Sequence, residues 1–111
     1  MDHFDIADVI AQHGRLEKLY HEFFRSQSLS LGMYILPAGT VDPQSPHPAD
    51  EIYYVVSGSG MVQVDGEDQA LAAGSIVYVG REVPHRFHSI TEDLNLLVFF
   101  APPFPASPAA G

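Results

Sequence analysis

A chain of 111 residues with 14 acidic and 5 basic side chains, net charge −9, has room for one hydrophobic core and no length for a second domain. It offers no basic stripe to a phosphate backbone and its acidity repels anionic lipid, which excludes nucleic acid and membrane as partners and leaves cations and neutral small molecules. Without cysteine there is no disulfide, thiolate metal site or cysteine nucleophile, so any metal must be held by histidine, carboxylate, amide or water.

Asp5 is placed to cap a short helix over residues 6–13, with Ile6, Val9 and Ile10 as its apolar stripe and Gly14 as its stop. The segment Leu16 to Arg25 fits two periods: Leu16, Leu19, Tyr20 and Phe23 suit a helix, while Leu19 to Phe24 suits a strand, which is the preferred reading. From Ser28 to Leu36 alternation is clearer, with Leu29, Leu31, Met33 and Ile35 on one face and Ser30, Gly32 and Tyr34 on the other. A proline-rich loop runs from Pro37 to Pro48.

The run Glu51-Ile52-Tyr53-Tyr54-Val55-Val56 is a strand whose period of two sends Glu51, Tyr53 and Val55 to one face. Gly58-Ser59-Gly60 breaks it, Met61 to Val64 resumes it, Asp65-Gly66 forms a hairpin turn and Gln69 to Leu71 returns. Further strands follow over Ile76 to Val79, from His85, and from Leu94 to Phe100 after a polar turn at Asp93. Residues 1–27 thus hold a helix and a leading strand, 28–101 a small antiparallel β-barrel or sandwich, and 102–111 a Pro/Ala-rich tail expected to be disordered beyond Phe104. No run reaches the ~18 apolar residues of a membrane span, and no basic region precedes an apolar one at the N-terminus, so the cytoplasm is the expected compartment.

If Glu51 faces inward, a carboxylate enters the core and calls for a hydrogen-bond partner, a counter-ion or a metal, with His47 four residues away as a co-ligand. Tyr53, Tyr78, Phe87, Met33 and Phe99 are candidates for the barrel lining, and Tyr53 and Tyr78 are the nominees for a catalytic general base. Arg81 and Arg86 are candidates for meeting an anionic substrate at the mouth.

Two glycine-bounded stretches carry a family resemblance. Gly39, Ser45, His47, Glu51 and Gly58 occupy the positions of a motif that runs glycine, five residues, H-x-H, three or four residues, glutamate, six residues, glycine, with Ser45 where the first histidine stands. Gly74 and His85 match a second motif that runs glycine, five residues, P-x-G, two residues, histidine, three residues, asparagine; Gly80, Glu82 and Ser89 replace its proline, glycine and asparagine. Together they resemble the paired motifs of the cupin superfamily over residues 28–101 or so.

The resemblance implies a cupin jelly roll holding one divalent metal (Fe, Mn, Ni, Co or Zn) through His47, Glu51 and His85. With Ser45 a poor ligand, Gln44 is the nominee for a fourth position, ahead of Asp42, Ser45 and His88; in a regular strand His88 faces away from His85. Metal-dependent dioxygenase-type chemistry on a small molecule leads, isomerase or lyase chemistry follows, and a non-catalytic ligand-binding or sensing module is the alternative. By the same resemblance the chain is expected to form a homodimer, with Leu19, Tyr20, Phe23 and Leu29 available to cover open sheet edges.

Overall fold

The computed structural model describes residues 1–15, 19–43 and 46–105. Helix α1 (Ile6–His13) leads into strands β1 (Tyr20–Arg25), β2 (Ser30–Leu36), β3 (Asp50–Val64), β4 (Glu67–Leu71), β5 (Ile76–Val79) and β6 (His85–Ala101). All described pairings are antiparallel, in the order β1-β2-β6-β3-β4 with β5 also on β3, which makes the expected small all-β barrel. No described helix is long and apolar enough to cross a membrane.

The helix has the expected span, but the Asp5 side chain makes no capping bond; its carbonyl accepts the amides of Asp8 and Val9 instead. The strand reading of the second segment holds for β1, while residues 16–18 lie outside the described residues. Asp65 and Gly66 both have positive φ, as the two-residue turn between β3 and β4 requires.

Two expected breaks are absent. Gly58-Ser59-Gly60 and the Asp93 region interrupt neither β3 nor β6, which stay paired along their length through successive register shifts at Val55/Ser57, Ser57/Ser59 and Ser59/Met61. The extra residues bend the pair instead of ending it. Gly58 makes the bend feasible: its φ is 99°, and a Cβ there would collide with the Asp93 carbonyl. Glu51 and Val64, the residue opposite His85, are so far apart along β3 that a straight strand would separate them by roughly 40 Å. Bent over, the strand brings Glu51 and His85 into contact.

Inside the roll, Tyr53, Val55, Val62, Phe87, Leu96 and Val98 form one buried cluster, and the Tyr53 and Phe87 rings meet edge to face at 5.0 Å. The register corrects three of the expected lining residues. Tyr78 and Phe99 both oppose Ile52, so they share its outward face and are exposed. Met33 is buried, but on the outer side: its partner His21 meets the ring of His13 in α1, which packs on β2. The inner face of β2 is therefore Ser30, Gly32, Tyr34 and Leu36, the less apolar of its two faces.

The chain after β6 does not leave the barrel at once. Ser30 Oγ accepts the Phe104 amide at 3.1 Å and donates to its carbonyl at 3.2 Å, and Arg25 donates to the Pro105 carbonyl. Residues 106–111 of the expected disordered tail lie outside the described residues.

Candidate metal centre

Three buried side chains converge at one end of the barrel. His47 comes from the loop before β3, Glu51 from the second residue of β3, and His85 from the first residue of β6. One donor atom from each lies within 4.8 Å of the other two. The loops that deliver them are tied together by backbone: Glu82 donates its amide to the His47 carbonyl at 2.8 Å, and Arg81 donates its own to Asp50 Oδ1 at 3.0 Å.

Glu51 is the hub. His47 Nδ1 lies 2.5 Å from Oε1, Tyr53 Oη donates to Oε2 at 2.5 Å, and His85 Nε2 approaches Oε2 at 3.3 Å. Burial alone pushes the Glu51 carboxyl up, but the hydrogen bonds from His47, His85 and Tyr53 outweigh it and hold it down at about 2. Burial likewise works against charge on His85, and the bonds to Glu51 and the Val83 carbonyl outweigh it, leaving His85 raised. Burial and the adjacent carboxylate push Tyr53 well up, so it remains a phenol that donates.

The donor set suits a divalent ion. His85 Nδ1 donates to the Val83 carbonyl at 2.9 Å, which fixes the ring and turns Nε2 toward Glu51. A metal-ligating imidazole commonly has its second nitrogen tied in this way, and the proton on Nε2 is the one an ion would displace. Two imidazoles and one carboxylate on a common centre are the facial set of non-haem Fe(II), and other first-row ions fit the same donors.

The remaining candidates are elsewhere. His88 is on the other face of β6, with Nε2 at 2.7 Å from Asp68 Oδ1 of β4. Tyr78 is 62% exposed on the outer face and donates to Asp50 Oδ1, so the structure does not bring it to the centre. Asp42 is buried, yet its oxygens accept Tyr34 Oη at 2.6 Å and the Phe87 amide at 2.8 Å, tying the loop after β2 across the barrel. Gln44 and Ser45 lie outside the described residues.

Beside the trio opens a cavity of ≈ 280 Å³, whose walls include His47, Tyr53, Tyr20, Tyr34, Phe100 and Phe104. The sequence reading missed Tyr20 and Phe104 here, and it assigned Leu19 and Tyr20 to a sheet edge although both line the cavity. Arg81 and Arg86 are exposed and neither lines it.

Comparison with known proteins adds a family and a fold. Residues 32–100 match the family described as Cupin domain. An uncharacterised protein of Streptomyces coelicolor is 44% identical over 103 residues, covering 93% of this chain and 98% of its own. A polyketide synthase of Streptomyces cyaneus, CurC, is 29% identical over 82 residues, covering 73% and 53%. Among solved structures, the DMSP lyase DddQ of Ruegeria pomeroyi superposes with a TM-score of 0.68 at 26% identity, covering 74% of this chain and 42% of the lyase.

Proposed function

Because the chain belongs to the cupin family, we propose that it binds one divalent metal ion through His47, Glu51 and His85 and acts on a small molecule held in the adjoining cavity, with dioxygenase-type chemistry leading. The observation that carries this is the buried convergence of the three donors, with the His85 ring already fixed by Val83. Three protein ligands leave coordination positions for substrate and dioxygen together, which is the chemistry such an ion supplies. The protein's own part is to hold Glu51 ionised, to fix both rings, and to wall the site with aromatic side chains that exclude water.

What favours oxygen chemistry over elimination or isomerisation is the lack of a suitable base among the described residues facing the cavity. Burial pushes the hydroxyls of Tyr20 and Tyr34 up, reinforced by Glu22 and Asp42 respectively, so neither takes a proton near neutral pH. Redox-neutral lyase chemistry is the second reading, supported by the structural neighbour named as a DMSP lyase. Anaerobic loading with Fe(II), followed by oxygen uptake against phenols, diketones and thiols, tests the first. Turnover without oxygen uptake selects the second; binding of metal and ligand without turnover selects a sensing module.

We also propose that two copies pair through the outer sheet face. Its cross-strand rows are Tyr78-Ile52-Phe99-Leu31 and Ile76-Tyr54-Leu97-Met33, which contain no charged residue. Ile76, Tyr78, Ile52, Tyr54 and Phe99 are exposed in the single chain. With a net charge of −9, two copies meet with least repulsion on these rows, where Asp50 is at the margin with its carboxylate engaged by Tyr78 and Arg81, and the exposed apolar side chains are what a second copy would cover.

A further inference from the structure

Strand β6 ends at Ala101, still paired with Asp50, and the residues after it, Pro102-Pro103-Phe104-Pro105, are fastened in a different way. Proline has no amide, so Phe104 supplies the single backbone donor of this segment. Among the described residues no backbone-to-backbone hydrogen bond reaches it. The Phe104 amide donates to Ser30 Oγ at 3.1 Å, the same hydroxyl donates to the Phe104 carbonyl at 3.2 Å, and Arg25, itself held by both oxygens of Glu22, donates to the Pro105 carbonyl.

The fastening decides where a ring goes. Ser30 is fully buried on the inner face of β2, opposite Phe100, where a hydroxyl is costly unless it is bonded, and the Phe104 peptide is what satisfies it. The Phe104 ring then lies 4.6 Å from His47 and 5.4 Å from Phe100, centroid to centroid, and Phe104 and Pro105 form one wall of the cavity. One of the three proposed metal ligands is therefore covered by a residue that belongs to no strand.

The wall behind it is held far more firmly. Strand β6 is laddered to β2 on one side and to β3 on the other, so Val98, which also lines the cavity, is freed only when the barrel comes apart. The segment 102–105 is held by three hydrogen bonds to side chains and by one half-buried ring. Units tied this weakly open while the rest of a domain stays folded, and a swing beyond Ala101 breaks no ladder.

We propose that residues 102–105 are a lid on the cavity that the proposed function takes as its ligand site, with Ser30 as the latch and the Phe104 ring as the cover over His47.

The chain has no cysteine of its own, so a single introduced thiol reports access to the interior. Val98→Cys, a near-isosteric change at a buried cavity wall, is labelled with dithiodipyridine, a two-ring reagent that reaches the thiol only past the lid; Val41→Cys, at an exposed position, sets the rate for an open thiol. Val98→Cys should react more slowly than Val41→Cys and at a rate that is flat in low urea, because a local opening exposes little surface. Adding Ser30→Ala, which removes two hydrogen bonds, should speed the reaction about tenfold or more, and adding Phe104→Ala should do the same, with the rates still flat in urea. In the unsubstituted chain, hydrogen exchange followed by NMR should find the Phe104 amide opening about tenfold or more often than the amides of Leu96 and Val98, again without dependence on low urea.

Labelling that rises steeply with urea in every variant means that the thiol is reached only by global unfolding, which makes the segment a fixed wall and overturns the lid. Labelling of Val98→Cys as fast as that of Val41→Cys means that nothing covers the cavity, and also overturns it. So does a Phe104 amide that exchanges as slowly as those of Leu96 and Val98, a result that needs no substituted chain to fold. Every arm is read on the metal-free protein, so failure here leaves the three donors untouched, and a chain that binds no metal leaves the lid untouched.

Discussion

Neighbouring residues of β3 contradict the usual burial rule in opposite directions. Glu51 is 1% exposed and Ile52 is 42% exposed; Tyr53 is 1% exposed and Tyr54 38%. On the inner face the strand carries a carboxylate at the centre of a histidine pair, and on the outer face it carries apolar side chains to solvent. A charge is rarely buried without partners, and a contiguous apolar face is rarely left bare on a lone protein. Each inversion underlies one of the two proposals: an ion and ligand inside, a second protein copy outside.

The most drastic way to break this contrast is to remove the bend that creates an inside. Gly58→Ala adds a Cβ into the Asp93 carbonyl at a φ of 99°. Backbone strain and overpacking of about 1–3 kcal/mol each should lower stability by about 4 kcal/mol, enough to take up much of a small domain's margin. Urea unfolding followed by circular dichroism measures it, and a midpoint equal to that of the wild type would show that the bend does not depend on glycine.

Next in size is the inner face. His85→Ala leaves two of three donors and should weaken metal binding by about 100-fold or more, given that changing even a supporting partner costs about 10–100-fold. Metal content after dialysis against a weak chelator reads this out, with Tyr78→Phe, on the outer face, as the variant that should retain full occupancy. Affinity in the wild type should fall with acid, because an ion must displace the His85 Nε2 proton, which Glu51 favours, while the Nδ1 proton stays on the Val83 carbonyl. Occupancy that rises with acid would contradict the donor set.

The outer face should respond to charge and not to metal. Ile52→Glu places a carboxylate in the middle of the Tyr78-Ile52-Phe99-Leu31 row. Ile52 is already 42% exposed, so the single chain should tolerate the change, while the dimer dissociation constant should rise about tenfold or more. Sedimentation equilibrium over a concentration series, which reports mass independently of shape, is the measurement. A wild-type chain that is monomeric throughout the micromolar range would reject the pairing.

How far this contrast was legible in the sequence differs between its sides. Period two alone put Glu51 and Tyr53 on one face of β3, opposite Ile52 and Tyr54, and the motif spacing supplied His47 and His85 and with them the choice of that face as the inner one. The same reasoning failed at Tyr78, Phe99 and Met33, because β5, β6 and β2 carry large apolar residues on both faces, and only cross-strand register decides which face is inside. On β2 the more apolar face turned out to be the outer one. Tyr20 was missed because its segment fits a helix and a strand equally; the available signal was Gly32, a glycine within a strand, which marks a close approach.

The smallest expected effect concerns a departure from the family pattern. Glu82 stands where the second motif has glycine, and its φ is 62°, the left-handed conformation that glycine adopts freely and glutamate does not. The conformation is retained because the Glu82 amide donates to the His47 carbonyl, so this residue's backbone holds one of the three proposed ligands in place while its side chain is exposed. Glu82→Gly removes strain of about 1 kcal/mol but frees the unfolded chain, and the two together should leave a gain of about 0.5 kcal/mol, or ~3 °C in Tm. Metal affinity should not change, because glycine retains the amide. Glu82→Pro lacks that amide and cannot adopt positive φ, so it should lower both stability and metal affinity. Calorimetry and metal titration of the pair separate backbone from side chain: if Glu82→Gly weakened metal binding as much as Glu82→Pro, the carboxylate and not the amide would be what steadies His47.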